Sequence, residues 1–108
     1  MQVTVTGTNL DLSEKVREEA IAKLSKVRTI LDRFIDMHIV FTEDTNPRIT
    51  DSIHCEVVLH AKGRYLRASA SAADPLTAID RAEAKLSRQV RKLKTRVTDR
   101  RRDTAGAR

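Results

Sequence analysis

Aromatic residues are scarce: two Phe, one Tyr and no Trp make up 3% of the 108 residues. So few rings exclude a surface that holds nucleic acid by stacking successive bases. The single cysteine, Cys55, excludes an internal disulfide and agrees with a reducing compartment. No apolar run approaches the ~18 residues that a membrane span needs. The N-terminus, MQVTVTGTNL, lacks the basic start and apolar stretch of a secretory signal. These absences point to the cytoplasm and away from a membrane partner. Enzyme signatures are missing as well. There is no GxxxxGK, no GxGxxG and no nucleophile–base pair. His38, His54 and His60 have no Cys/His partners at metal-ligand spacing. The expectation is a non-enzymatic chain with no catalytic residue, no metal, no cofactor and no small-molecule substrate.

What the chain has is charge, unevenly placed. Its length predicts one domain, and 40% hydrophobic with 33% charged residues suits a globular one. The formal net charge is +6. Residues 1–90 contain 13 Lys/Arg and 13 Asp/Glu, so the excess lies in residues 91–108, with eight basic residues and two acids. A one-ended basic excess suggests a polyanionic partner, nucleic acid being the commonest. A disordered tail that only aids solubility is the alternative for 98–108.

The pattern predicts β-α-β-β-β-α. Val3 and Val5 alternate with polar neighbours in a first strand over 2–6. Val16, Ala20, Leu24, Val27 and Leu31 recur at helical spacing over 13–32, with Ser13 as N-cap. A second strand covers 35–43, with Met37, Ile39 and Phe41 on one face, and DTNPRITD follows as a loop. In a third strand, 52–60, Ile53, Cys55, Val57 and Leu59 face inward. The turn Ala61-Lys62-Gly63-Arg64 leads to a fourth, with Leu66, Ala68 and Ala70 inward. Asp74-Pro75 opens a long helix with an apolar stripe of Leu76, Ile79, Ala82, Leu86, Val90, Leu93 and Val97. The fold class is α+β, a four-stranded sheet with both helices on one face, in a layout like a double-stranded-RNA-binding domain. Residues 1–97 form the domain, and 98–108 are expected to be a basic, disordered tail.

On a helical wheel, Arg81, Lys85, Arg88, Lys92 and Arg96 form one line of cations about 22 Å long. Asp80 and Glu83 fall on the opposite flank. Like charges four apart repel by a few tenths of a kcal/mol, a cost better understood if a polyanion neutralises them. The alternative is an ordinary solvated face. The first helix carries a weaker echo in Lys15, Lys23, Lys26 and Arg33, interrupted by Glu19. Too few rings for stacking leaves phosphate contact and shape recognition of folded RNA.

Three local patterns then resemble a known family. They are Asn9-Leu10 leading into Ser13, Lys23-Leu24-Ser25-Lys26, and Asp74-x-x-Thr77-Ala78-Ile79-Asp80 followed by Lys85-Leu86-x-Arg88-Gln89-x-x-Lys92-Leu93. With the element order, they resemble the ribosome hibernation promoting factors, the ribosome-associated inhibitor or protein Y family, over residues 1 to 97. The resemblance implies a stress or stationary-phase factor that binds the small ribosomal subunit in the mRNA/tRNA channel, contacts its rRNA and inhibits translation. It assigns rRNA contact to Lys85, Arg88 and Lys92 and to Lys23 and Lys26. Arg81 and Arg91 join them from the wheel and charge pattern. A general double-stranded-RNA-binding module is the alternative. Leu76 stands where many members have an aromatic. Long members carry a second, ribosome-pairing domain, and nothing in these 108 residues corresponds to it, so a short form or the N-terminal part of a long form is expected.

Overall fold

The computed structural model describes the backbone of residues 1–106 and the side chains of 1–96. The elements are β1 (Gln2–Thr8), α1 (Glu14–Leu24), α2 (Val27–Ile30), β2 (Phe34–Glu43), β3 (Ile53–Ala61), β4 (Arg64–Ala72) and α3 (Pro75–Gly106). The four strands form one sheet in the order β1-β2-β3-β4. β1 pairs with β2 in parallel, because a helical crossover joins them. β2, β3 and β4 form an antiparallel meander. Among the described residues, no helix is long and apolar enough to cross a membrane.

Period-2 patterning builds the sheet. Met37, Ile39 and Phe41 on β2 and Cys55, Val57 and Leu59 on β3 are fully buried. They meet Ala20, Leu24 and Val27 from the first helical segments and Ile79, Ala82, Leu86 and Val90 from α3. Full burial of a side chain the size of Leu or Phe contributes about 1.5–3 kcal/mol, so this layer between sheet and helices carries the fold. The turn after β3 needs only Lys62 and Gly63, with Gly63 at φ 78°. β1 runs two residues past the expected end, since Gly7 and Thr8 still pair with Phe41 and Thr42. Gly7 is required there, because a Cβ would collide with the carbonyl oxygen of Leu10.

The expected single helix over 13–32 is two helices. At Ser25 (φ −67°, ψ −13°) and Lys26 (φ −61°, ψ −21°) the backbone tightens toward 3₁₀ geometry. The amides of Arg28 and Thr29 bond three residues back, to Ser25 at 3.1 Å and Lys26 at 3.0 Å. Dihedral angles stay right-handed through the break, so Leu24 and Val27 both still reach the core. Leu76 is a second departure. It lies in the first turn of α3 and is 37% exposed, whereas Ala78 and Ile79 beyond it are buried. The α3 backbone runs to Gly106. No Gly or Pro interrupts 98–105, so nothing local stops the helix. The side chain of Val97, the last of the expected stripe, and those of Arg100, Arg101 and Arg102 lie outside the described residues, as do residues 107 and 108 altogether.

Candidate nucleic-acid interface

The motif that opens α3 is a cap. Asp74 Oδ1 accepts from the Thr77 amide at 2.9 Å, and Oδ2 from the Thr77 hydroxyl at 2.8 Å. The Thr77 amide, then its hydroxyl, hold the Asp74 carboxyl below the usual carboxylate range. With Pro75 at the first helical position, the start of α3 is fixed, and the rotational position of every later side chain follows from it.

One flank of α3 lies along β4. Arg81 Nη1 donates to the Ser71 carbonyl at 2.6 Å, Lys85 Nζ to that of Ser69 at 2.8 Å, and Gln89 Nε2 to that of Arg67 at 2.5 Å. Four helical residues rise about 6 Å and two strand residues about 6.8 Å. A donor every four residues therefore meets an acceptor every two. β4 is the outer strand of the sheet, and these carbonyls face away from β3. An open edge of this kind invites another chain to pair with it. Arg81, Lys85 and Gln89 cover it. Arg81 also faces Asp51 at 3.5 Å.

The opposite flank faces α1. Lys23 is paired with Asp80. Its pKa is raised, first by the hydrogen bond to Asp80 and against a smaller desolvation effect. Ser87, the one buried polar side chain among the described residues, donates to Glu83 at 2.8 Å. Lys26 is exposed in the turn between α1 and α2.

Between these flanks runs the crest of α3. Arg88, Arg91 and Lys92 are exposed there. Among the described residues none of the three makes a side-chain hydrogen bond or an ion pair. The five cations on α3 at Arg81, Lys85, Arg88, Arg91 and Lys92 thus share one exposed surface, but in two conditions: the first two are tied to β4 or a loop acid, and the other three extend into solvent. Lys23 joins this surface only from the far side of Asp80. Sequence reasoning missed Gln89 as a member of the β4 flank. Its spacing from Arg81 and Lys85 was visible, but its partner, a backbone carbonyl, carries no sequence signal.

The other face of the sheet is polar and largely self-satisfied. His54 Nδ1 contacts Ser71 Oγ at 2.5 Å, His60 stacks on Tyr65 at 4.4 Å between centroids, and Asp36 lies 3.5 Å from His60. Among the described residues there is no group of His, Cys, Asp and Glu that could hold a metal ion. Cys55 is buried, and burial pushes its thiol up to about 12. An inert core thiol results.

The fold and this crest define a small α+β module with a cationic helical surface. Comparison with known proteins makes that class specific. Residues 3–98 match the family model "Sigma 54 modulation protein / S30EA ribosomal protein". The Escherichia coli (strain K12) ribosome hibernation promoting factor is 32% identical over 97 residues, covering 90% of this chain and 97% of that protein. The ribosome hibernation promotion factor of Deinococcus radiodurans is 34% identical over 92 residues, and this chain spans only 48% of its length. The chain belongs to this family of ribosome hibernation factors. Two solved structures share the fold. The ribosomal subunit interface protein from Coxiella burnetii has a TM-score of 0.77 at 24% identity, covering 88% of this chain and 99% of that one. The Thermus thermophilus Protein Y N-terminal domain has a TM-score of 0.73 at 23% identity, covering 86% and 99%.

Proposed function

We propose that this protein is a non-enzymatic ribosome hibernation factor that acts in the cytoplasm. It binds the small ribosomal subunit in the mRNA/tRNA channel under stress or in stationary phase and blocks translation by occupying it. The observation that carries the reading is the crest of Arg88, Arg91 and Lys92, exposed and without acidic partners among the described residues. Lys85 and Arg81 flank the crest, and Lys23 and Lys26 extend the surface across Asp80. Arg and Lys on a rigid helix suit rRNA phosphates, which fix register without reading sequence. Lys85 has one carbonyl partner, and an ammonium has three donors, so it can keep Ser69 and still meet a phosphate.

Cosedimentation with small subunits tests this. The Lys85→Ala, Arg88→Ala, Lys92→Ala variant should leave the pellet while keeping its fold, and wild-type binding should fall steeply with salt as counterions are released. Undiminished cosedimentation of the folded variant rejects the reading. Equal affinity of the wild type for an arbitrary RNA duplex would instead make the chain a general duplex binder.

A further inference from the structure

A cleft of about 490 Å3 lies between the end of α2, the β3–β4 turn and the far part of α3, lined by Leu31, Arg33, Ala61, Lys62, Arg64 and Leu93. A second, of about 180 Å3, shares Arg64 and Leu93 with it and adds Leu66, Gln89, Lys92 and Arg96. Together they form one groove. Its floor is apolar: Leu31, Leu66 and Leu93 are half-buried and Ala61 is buried. Its rim is cationic: Arg33, Lys62, Arg64, Lys92 and Arg96 are all exposed, and among the described residues no carboxylate lines either part. The core does not account for this combination. A well-packed interior fills its floor, and a purely solvated rim mixes its charges.

We propose that this groove takes an unpaired nucleotide of the bound RNA. The flat face of the base lies on the leucine floor, and the phosphates on either side meet the rim. The volume is in the range of small-ligand sites, which are mostly apolar with a few convergent polar groups. Extruded bases are held by apolar side chains and on guanidinium planes, so scarcity of aromatic rings is no obstacle. Arg33 and Arg64 supply such planes. Continuity selects RNA over a detached ligand: Lys92 belongs both to the crest of α3 and to the wall of the groove. A strand lying along the crest is therefore led into the cleft. The inference rests on the proposed RNA-binding role and adds a base contact to one otherwise limited to phosphates.

An RNA hairpin with an adenosine loop, compared with the same hairpin carrying an abasic loop, separates the two layers. The adenosine loop should bind about tenfold more tightly. It should shift the methyl resonances of Leu31, Ala61 and Leu93, and the abasic loop should not. Lys62→Gln in the turn with Arg64→Gln at the start of β4, both exposed, should abolish the difference between the hairpins. Equal binding with unmoved methyl signals overturns the groove and leaves the crest standing, since both hairpins are still bound. Failure of both hairpins and of ribosomes to bind overturns the RNA-binding role itself. If AMP alone, or polyglutamate, saturates the same methyl shifts and the hairpins do not differ, the groove belongs to a free nucleotide or an acidic protein segment and the inference is wrong.

Discussion

Arg81 and Lys85 are one Arg and one Lys, as are Arg88 and Lys92, and on a helical wheel the four lie within about 60° of one another. They are used differently. Arg81 and Lys85 bond the carbonyls of Ser71 and Ser69 on the outer strand. Arg88 and Lys92 bond no described side chain or strand. At the level of Lys92 a cleft, lined by Arg64 and Leu66, separates helix from strand. Charge on a helix face therefore does not by itself measure what is offered to a partner. Each cation must be set against the backbone acceptors within its reach.

The sharpest way to test the contrast is to remove the crest. Arg88→Ala, Arg91→Ala and Lys92→Ala together should weaken binding to small subunits by about a hundredfold and flatten the salt dependence by about three phosphate contacts. The melting temperature should stay within a degree or two, as read by circular dichroism. Removing the β4 flank should do the reverse. Arg81→Ala, Lys85→Ala and Gln89→Ala should lower the melting temperature by a few degrees and expose an unprotected edge. Sedimentation velocity should then show self-association, with a loss of ribosome affinity smaller than that of the crest variant. A smaller effect comes from moving a cation between the two groups. Asp80→Ala frees Lys23, so ribosome affinity should rise about twofold to threefold and the salt slope should steepen by about 0.9. If Lys23 contributes nothing once freed, the far flank does not belong to the interface.

Cys55 has no effect near neutral pH and serves as a control for the rest. Burial raises its thiol from 9.0 to about 12, so folding favours the protonated form. Its contribution to stability is complete below pH 9.0, where folded and unfolded chains are both protonated, and is lost progressively as pH rises toward 12. Thermal melts above pH 9 should show this loss, and Cys55→Ala should remove that component. Near neutrality the thiol should resist alkylation in every correctly folded variant, so rapid labelling would mark a variant whose phenotype is unfolding.

Most of the sheet was legible because a strand writes its burial into the sequence at period 2. Ile53, Cys55, Val57 and Leu59 are all buried, as their alternation predicts. The break at Ser25-Lys26 was not legible, since the apolar spacing of Ala20, Leu24 and Val27 passes through it unchanged. Of the candidate interface, Lys85, Arg88 and Lys92 were readable from charge segregation on one helix. The anchoring of Lys85, and of Lys23 on Asp80, was not. The cationic groove was invisible for the same reason: Arg33, the pair Lys62 and Arg64, and Leu93 are brought together from three separate stretches of chain.

The α+β order, the inward face of each strand, the capped start of α3 and the cationic character of that helix all follow from the linear chain. Those properties depend on local spacing and on residue chemistry, both of which are present in the linear chain. Which cations are occupied and which are offered is settled by packing. That depends on the outer carbonyl edge of β4 running antiparallel alongside α3 at a matching pitch, and on α1 bringing Lys23 against Asp80. Long-range register sets both, and no local pattern encodes it.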